Sequence, residues 1–240
     1  MIAGLSKVIT LYLAPLLALT SLILTFLAYF SPVAILQGKV ALLTVSPSTS
    51  LTNPGSTSAI DGPSVFLGAL GSCSRSNNDA TITCEPATLS PEYDLSVLPS
   101  NAPNLLSAPT ATTPAFIAVS LGFGVVFFML FTLISLRHKM PGKVAGVMDK
   151  PSIQRFAAWV GLLGFMMGLT SFLVIRMWFG KAVEDFNTSI SEAGNGGSQL
   201  VAATSNGFIM VYVAYAFYGV PLVCSLSRLH VTAVAAKGAA

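Results

Sequence analysis

The sequence predicts an all-α membrane protein, a bundle of four transmembrane helices that carries a small disulfide-stapled extracellular β-sheet. Only 9% of the 240 residues are charged, whereas soluble domains carry about 25%, and the mean hydropathy is +0.75. The apolar residues are concentrated in four stretches, separated by segments rich in Ser, Thr, Pro, Asn and Gly. This composition excludes an ordinary soluble enzyme. A net charge of +3 without a basic run excludes a nucleic-acid partner.

Each apolar stretch is long enough to cross the hydrocarbon core, which takes about 20 residues of helix. A lipid-exposed chain must satisfy its backbone groups internally, so each stretch is predicted to be a helix. The four cover residues 9–30, 115–136, 156–179 and 208–226. The first follows one basic residue, Lys7, as a signal peptide does. Because it is longer than the usual signal core of about 7 to 15 residues, an uncleaved helix is favoured over a cleaved signal.

The charge distribution predicts the orientation of the chain. Segment 137–155 holds one acid, Asp149, and five basic residues: Arg137, Lys139, Lys143, Lys150 and Arg155. Segments 31–114 and 180–207 contain more acidic than basic residues. Since Lys and Arg favour the cytoplasmic side, 137–155 is predicted to be a cytoplasmic loop and the other two segments extracellular loops. The N-terminus and the tail 227–240 are then cytoplasmic.

This topology separates the three cysteines. Cys73 and Cys84 lie in the first extracellular loop, where disulfides persist, and a bridge between them would be worth about 3 kcal/mol; the alternative is two free thiols. Cys224 lies at the cytoplasmic end of the fourth helix, where reversible palmitoylation and a buried free thiol are both open.

A small β-sheet is predicted around the cysteine pair. Residues 65–73 are apolar and residues 80–84 alternate, with turn-forming residues at 77–79 between them. Residues 40–45 are a third candidate strand. The Ser/Thr/Pro/Gly-rich segment 46–64 is typical of a flexible surface loop, or alternatively of O-glycosylation.

The same region carries a resemblance. Gly68-Ala69-Leu70-Gly71-Ser72-Cys73, followed by ten residues and Cys84, resembles the Gly-φ-φ-Gly-x-Cys…Cys motif of fungal tetraspan proteins of claudin-like architecture. That superfamily includes eisosomal cortical-patch proteins, the pH-response regulator PalI and mating-related proteins of low-affinity calcium influx. Tyr93-Asp94-Leu95 and Leu98-Pro99 look most like the PalI and cortical-patch branch. Segment 31–114 has no Trp, unlike the W…GLW of animal claudins. The resemblance implies a location in the plasma membrane.

Inside the helices the sequence offers little chemistry. No span contains Asp, Glu, His or Lys, so catalysis and proton-coupled transport are not expected, and no cofactor or metal is predicted. His138 and His230 are interpreted as solvated edge residues rather than as a metal pair. The single charge, Arg176, is expected to reach the headgroups or to pair with Glu184 or Asp185.

Several residues in and beside the helices are candidates for packing or modification. Gly161, Gly164 and Gly168 allow close approach, either within the bundle or between copies of the chain. Tyr212, Tyr215 and Tyr218 are predicted to face the bundle. Asn187-Thr188-Ser189 is an N-glycosylation sequon.

Two functions from different classes are compatible with these features. The first is a non-enzymatic organiser of a cortical membrane domain, or an accessory in cell-surface signalling of ambient pH or the cell wall. The alternative is a regulator or component of calcium influx, because the outer loops are rich in acids. The expected partners are membrane lipids, including anionic lipids at the basic loop, other copies of the chain and other membrane proteins.

Overall fold

A computed structural model describes residues 9–52 and 60–238 of the chain, without the side chains of residues 9, 10, 138, 195 and 228–238. The expectations about Lys7, about part of the loop 46–64 and about the side chains of His138 and His230 lie outside this described set.

Five α-helices are formed in the described residues. Helix α1 covers Ala14–Phe30 after a π-helical turn at Ile9–Leu13, and α2 covers Thr112–Leu136. A short helix α3 covers Gly142–Met148, α4 covers Pro151–Ala193, and α5 covers Asn206–Gly238. Helices α1, α2, α4 and α5 are long and apolar enough to cross a membrane, which confirms that the four predicted stretches are helical.

Two of these helices are longer than predicted. Helix α4 begins at Pro151 instead of residue 156 and ends at Ala193 instead of residue 179, and α5 continues beyond residue 226 to Gly238. Hydropathy falls where polar residues begin, but the helix does not end there. In the added part of α4, Ala182, Phe186 and Ile190 are buried on one face, so packing stabilises a segment that hydropathy assigns to a loop.

Buried positions recur along the apolar helices at alternating spacings of four and three. In α1 this series is Ala14, Ala18, Ser21, Thr25 and Ala28, and in α2 it is Thr113, Ile117, Ser120, Gly124, Phe127, Phe131 and Ile134; other buried residues, such as Tyr29 and Leu121, lie beside it. A repeat of about 3.5 residues is the seam of helices that pack side by side. The opposite face of α1 exposes large apolar side chains such as Leu16 and Ile23. In α1, therefore, small residues face the neighbouring helices and large ones face the lipid, whereas α2 also buries aromatic residues such as Phe127 and Phe131.

The strands form one antiparallel sheet in the order β4-β3-β2-β1-β5. Strand β1 covers Leu43–Pro47, β2 Ser64–Leu67, β3 Ser72–Arg75, β4 Thr83–Cys84 and β5 Leu200–Thr204. The prediction of a single strand over 65–73 is wrong, because the chain reverses at residues 68–71 and forms two paired strands there. The turn near 77–79 does connect β3 to the short β4.

Strand β5 is the element that the sequence analysis missed. It lies in segment 180–207, which was interpreted as a loop, and it pairs with β1 over five residues from Leu43↔Thr204 to Pro47↔Leu200. The segment has no alternating pattern, since both faces of Leu200-Val201-Ala202-Ala203 are apolar.

The chain divides into two compact units. The helical unit comprises Met1–Thr25, Phe116–Thr170 and Tyr212–Ala240, and the sheet unit comprises Phe26–Ala115 and Ser171–Val211. The sheet unit has its own core, which includes the fully buried Leu43, Val45, Val65, Leu67 and Phe186.

Candidate functional site: the glycine and cysteine hub

The turn between β2 and β3 and the disulfide that follows it form one connected part of the sheet unit. We call the residues 68–73, Cys84 and Tyr93 the hub. The Gly68 amide donates to the Gly71 carbonyl at 2.9 Å and closes the turn. Gly71 has φ +155°, a backbone conformation that L side chains rarely adopt. A Cβ on Gly68 would collide with the Ser31 carbonyl oxygen and with Cδ of Pro32. Both glycines of the family-like motif are therefore required by the geometry.

The disulfide joins Cys73 and Cys84, as predicted. The two residues are directly opposite each other in the β3–β4 pair, and Ser74 and Thr83 form the next pair. Strand β4 has only two residues, too few to hold a register through backbone hydrogen bonds alone. The disulfide therefore fixes the position of β4 and of the chain that follows it.

The chain after β4 folds back over the hub through four hydrogen bonds. The amides of Glu85 and Thr88 donate to the carbonyls of Ser72 and Leu70 at 3.0 and 2.9 Å. The Tyr93 hydroxyl donates to the Gly68 carbonyl at 2.7 Å, and the Asp94 amide donates to the Ser72 hydroxyl at 3.0 Å. These contacts bring together the two parts of the sequence that carry the resemblance, and neither their partners nor their directions could be read from the sequence.

Electrostatics around Tyr93 and Asp94 follow from their surroundings. Burial raises the pKa of the Tyr93 hydroxyl, so this group remains a hydrogen-bond donor. Hydrogen bonds from the Ser96 side chain and amide lower the pKa of Asp94, and the Ser96 amide lies 2.9 Å from Asp94 Oδ1.

A surface cavity of about 260 Å³ lies next to this segment. It is lined by Leu95, Leu98 and Pro99, which belong to the second part of the resemblance, and by Ser100, Ala102, Pro103 and Asn104.

The predicted sequon residue Asn187 lies on α4, beside strand β5. Its carboxamide accepts a hydrogen bond from the Ala202 amide and donates one to the Ala202 carbonyl, both at 2.9 Å. The amide nitrogen that a glycan would occupy is thus already engaged. In an antiparallel strand the amide and carbonyl of one residue point to the same side. Asn187 therefore covers the edge of β5 that faces away from β1.

We expect Asn187 to stabilise the sheet rather than to carry a glycan. Asn187→Ala removes two hydrogen bonds worth about 1 kcal/mol each, so thermal unfolding should shift down by about 4 to 8 °C. Ser189→Ala is the matched control, because it destroys the sequon and keeps the Asn187 carboxamide. Equal unfolding temperatures for the two variants, or a mobility shift of the native chain after endoglycosidase treatment, would contradict this expectation.

The charged and aromatic residues at this end of α4 have identified partners. The Arg176 guanidinium lies 5.4 Å from the centre of the Phe208 ring. The acids predicted as its alternative partners, Glu184 and Asp185, contact Lys181 at 3.6 and 2.6 Å. The interpretation of an Arg176 ion pair with them is therefore wrong, since a basic residue one turn away satisfies both carboxylates. The Trp178 indole donates to the Ser107 carbonyl at 3.0 Å.

In the helical unit, the predicted packing glycines face aromatic side chains. A Cβ on Gly161 would lie 2.5 Å from the Phe127 ring, and one on Gly164 would lie 3.0 Å from Phe123 Cβ. Gly168 lies against the hydroxyls of Tyr215 and Ser120. The glycines thus contact other helices of the same chain.

The tyrosines of α5 divide between the bundle and the lipid. Tyr215 and Tyr218 are buried, whereas Tyr212 is 44% exposed, so its predicted inward position is wrong. Residues three apart on a helix differ in direction by about 60°. Tyr212, two such steps from Tyr218, therefore points away from the bundle. The Tyr218 hydroxyl donates to the Gly161 carbonyl at 3.2 Å. Beside it lies a cavity of about 20 Å³, lined partly by Ser21, Thr25 and Ser120, with room for one water molecule.

The remaining predicted sites lie at the other end of the helical unit. Asp149 binds Arg137 at 2.8 Å, and Lys139, Lys143, Lys150 and Arg155 are exposed. Cys224 is a free, partly exposed thiol that packs against a buried cluster containing Phe127, Phe131 and Leu222; its palmitoylation stays a prediction. Among the described residues, no three His, Cys, Asp or Glu side chains are grouped to hold a metal ion.

Together these elements define a class: a multi-pass membrane protein with four apolar helices and a small antiparallel sheet closed by one disulfide. Comparisons of the chain with protein-family models, with curated proteins and with solved structures give no match.

Proposed function

We propose that this chain is a non-enzymatic, claudin-like tetraspan of the plasma membrane that organises a cortical membrane domain, or acts as an accessory in cell-surface signalling. The sheet unit would face the cell exterior, and both termini would lie in the cytoplasm. The excess of basic residues in 137–155 and of acids in the other two connections supports this orientation.

One observation carries the proposal. The residues that resemble the fungal tetraspan motif fix part of the sheet unit: a side chain at Gly68 would clash and one at Gly71 would be strained, and Cys73 and Cys84 hold the edge strand β4. Tyr93, from the second part of the resemblance, bonds back to Gly68. The two parts of the resemblance, which are separated in sequence, thus meet in one hydrogen-bonded hub. This supports the kinship and, with it, the function of the cortical-patch and PalI branch.

The calcium-influx alternative gains no support from the described residues. Asp61, one of its acids, accepts a hydrogen bond from the Asn78 amide at 2.7 Å, and no three acids are grouped. The described acids of one copy therefore form no group that could hold a metal ion, and a ring of carboxylates that attracts cations would need acids from several copies.

Imaging of the fluorescently tagged full chain in its own cell tests the organiser function. We expect discrete cortical patches, in which the tag is enriched over a co-expressed single-span plasma-membrane protein. An evenly diffuse signal at normal expression would contradict the organiser role. A deletion strain that grows normally at alkaline pH would remove the signalling version.

A further inference from the structure

The connection between α2 and α4 is confined to the membrane surface by its two ends. Helix α2 ends at Leu136 and α4 begins at Pro151, and both are membrane spans. The connection contains α3, Gly142–Met148, of which no residue is buried. The main contact of α3 among the described elements is with residues 137–139 of the same connection, and α3 is attached at both ends to helices that enter lipid.

One face of α3 is apolar and exposed. Val144 and Val147 are each 42% exposed, and Met148 is partly exposed on the same face, since residues three and four apart are neighbours on a helix. A helix that exposes apolar side chains on one face and basic residues beside them is suited to the interface between headgroups and acyl chains.

The charges around this apolar face are of one sign. The single acid, Asp149, is bound to Arg137 at 2.8 Å. This leaves Lys139, Lys143, Lys150 and Arg155 exposed without an acid of their own segment. Lys139 also lies 5.6 Å from the ring centre of Tyr12, an exposed aromatic residue of the kind that anchors helices at the membrane interface.

We propose that residues 139–155 form a docking surface for anionic phospholipid headgroups, with α3 lying in the interface, its valines toward the acyl chains and Lys143, Lys150 and Arg155 on the phosphates. A lipid surface is favoured over a protein partner because chain continuity places this segment at the bilayer. The inference depends on the membrane location alone and holds whether or not the protein forms cortical patches.

The two tryptophans of the chain provide the test. Trp159 lies eight residues after the start of α4 and is 61% exposed, so it contacts acyl chains near the proposed surface. Trp178 is on the same helix, about 28 Å further along at 1.5 Å per residue. The Trp178→Phe variant isolates the first reporter, and the Trp159→Phe variant isolates the second.

Each reporter variant is reconstituted in phosphatidylcholine vesicles that contain increasing fractions of phosphatidylglycerol brominated on its acyl chains. The two leaflets have the same composition, so protein orientation does not matter. We expect Trp159 to be quenched as if the anionic lipid were enriched about fivefold, the factor that corresponds to about 1 kcal/mol. Trp178 should show no enrichment, and salt should abolish the effect at Trp159.

Lys143→Gln/Lys150→Gln/Arg155→Gln in the Trp159 reporter should reduce the enrichment to none. Lys181→Gln, at the other end of α4, is the matched control and should leave it unchanged. Equal quenching by brominated phosphatidylglycerol and phosphatidylcholine in the unsubstituted reporter, or a preference that survives the triple substitution, would overturn the proposal. Because all of these side chains are exposed, retention of the oxidised Cys73–Cys84 pair and of the elution volume shows that each variant is folded.

Discussion

Reduction of the Cys73–Cys84 disulfide lowers the free energy of unfolding of the sheet unit by about 3 kcal/mol, the usual value for a loop of this size. The physical reason is specific to this sheet. Strand β4 consists of Thr83 and Cys84, and the segment that carries Tyr93 follows directly, so an open bridge leaves both attached to the sheet through hydrogen bonds alone. The measurement is thermal unfolding of the purified full chain in mild detergent, followed by tryptophan fluorescence with and without reductant. The expected decrease is about 6 to 12 °C.

The matching variant is Cys73→Ser/Cys84→Ser, which should unfold at the temperature of the reduced protein and should not respond to reductant. Cys224→Ser keeps the bridge and should retain the response. A native chain whose unfolding temperature is unchanged after verified reduction would contradict the role of the disulfide.

Gly68→Ala is expected to destabilise the chain by about 3 kcal/mol, at the upper end of the cost of overpacking. The added methyl group would meet the Ser31 carbonyl oxygen and the Pro32 ring, which are backbone and ring atoms that cannot rotate away. The turn must then move off residues 31 and 32, and the bond from Tyr93 to the Gly68 carbonyl moves with it. The same thermal unfolding experiment measures the effect.

Gly196→Ala is the control for this substitution. Gly196 belongs to the sheet unit, and a Cβ there would meet nothing within 4 Å, so its unfolding temperature should stay close to that of the native chain. If Gly68→Ala unfolds at the same temperature as Gly196→Ala, the close approach to Ser31 does not constrain the fold.

The apolar helices were predictable because their signal is local. A run of about 20 apolar residues identifies a span without any knowledge of its neighbours. Even so, the ends of α4 and α5 were misjudged. Hydropathy indicates where the apolar stretch ends, whereas α4 continues beyond it because Phe186 and Ile190 are buried in the core of the sheet unit. Burial, unlike hydropathy, depends on residues distant in sequence.

The sequence analysis identified the residues of the hub but not the contacts that require them. The cysteine pair followed from the predicted compartment, and the glycines were singled out by resemblance alone. Glycine is required at position 68 because the Ser31 carbonyl lies close to it, and Tyr93 donates a hydrogen bond to the Gly68 carbonyl. Both are tertiary contacts that no local sequence pattern predicts. Strand β5 was missed for the same reason, since its register opposite β1 and the bonds from Ala202 to Asn187 are contacts between segments distant in sequence.

The two borders of the sheet limit how copies of this protein could assemble. An exposed strand edge is a template for pairing with another chain. Here one border is the two-residue β4, which is too short to serve as such a template. At the other, the outward-facing groups of Ala202 are occupied by Asn187, and the Leu200 amide donates to the Ser198 carbonyl at 2.9 Å. Assembly through a continuous intermolecular sheet is thereby disfavoured, so a cortical array of this protein would have to be built through lipid-facing helix surfaces or loop faces. If the lipid-facing helix surfaces carry it, detergent should separate the copies without unfolding them.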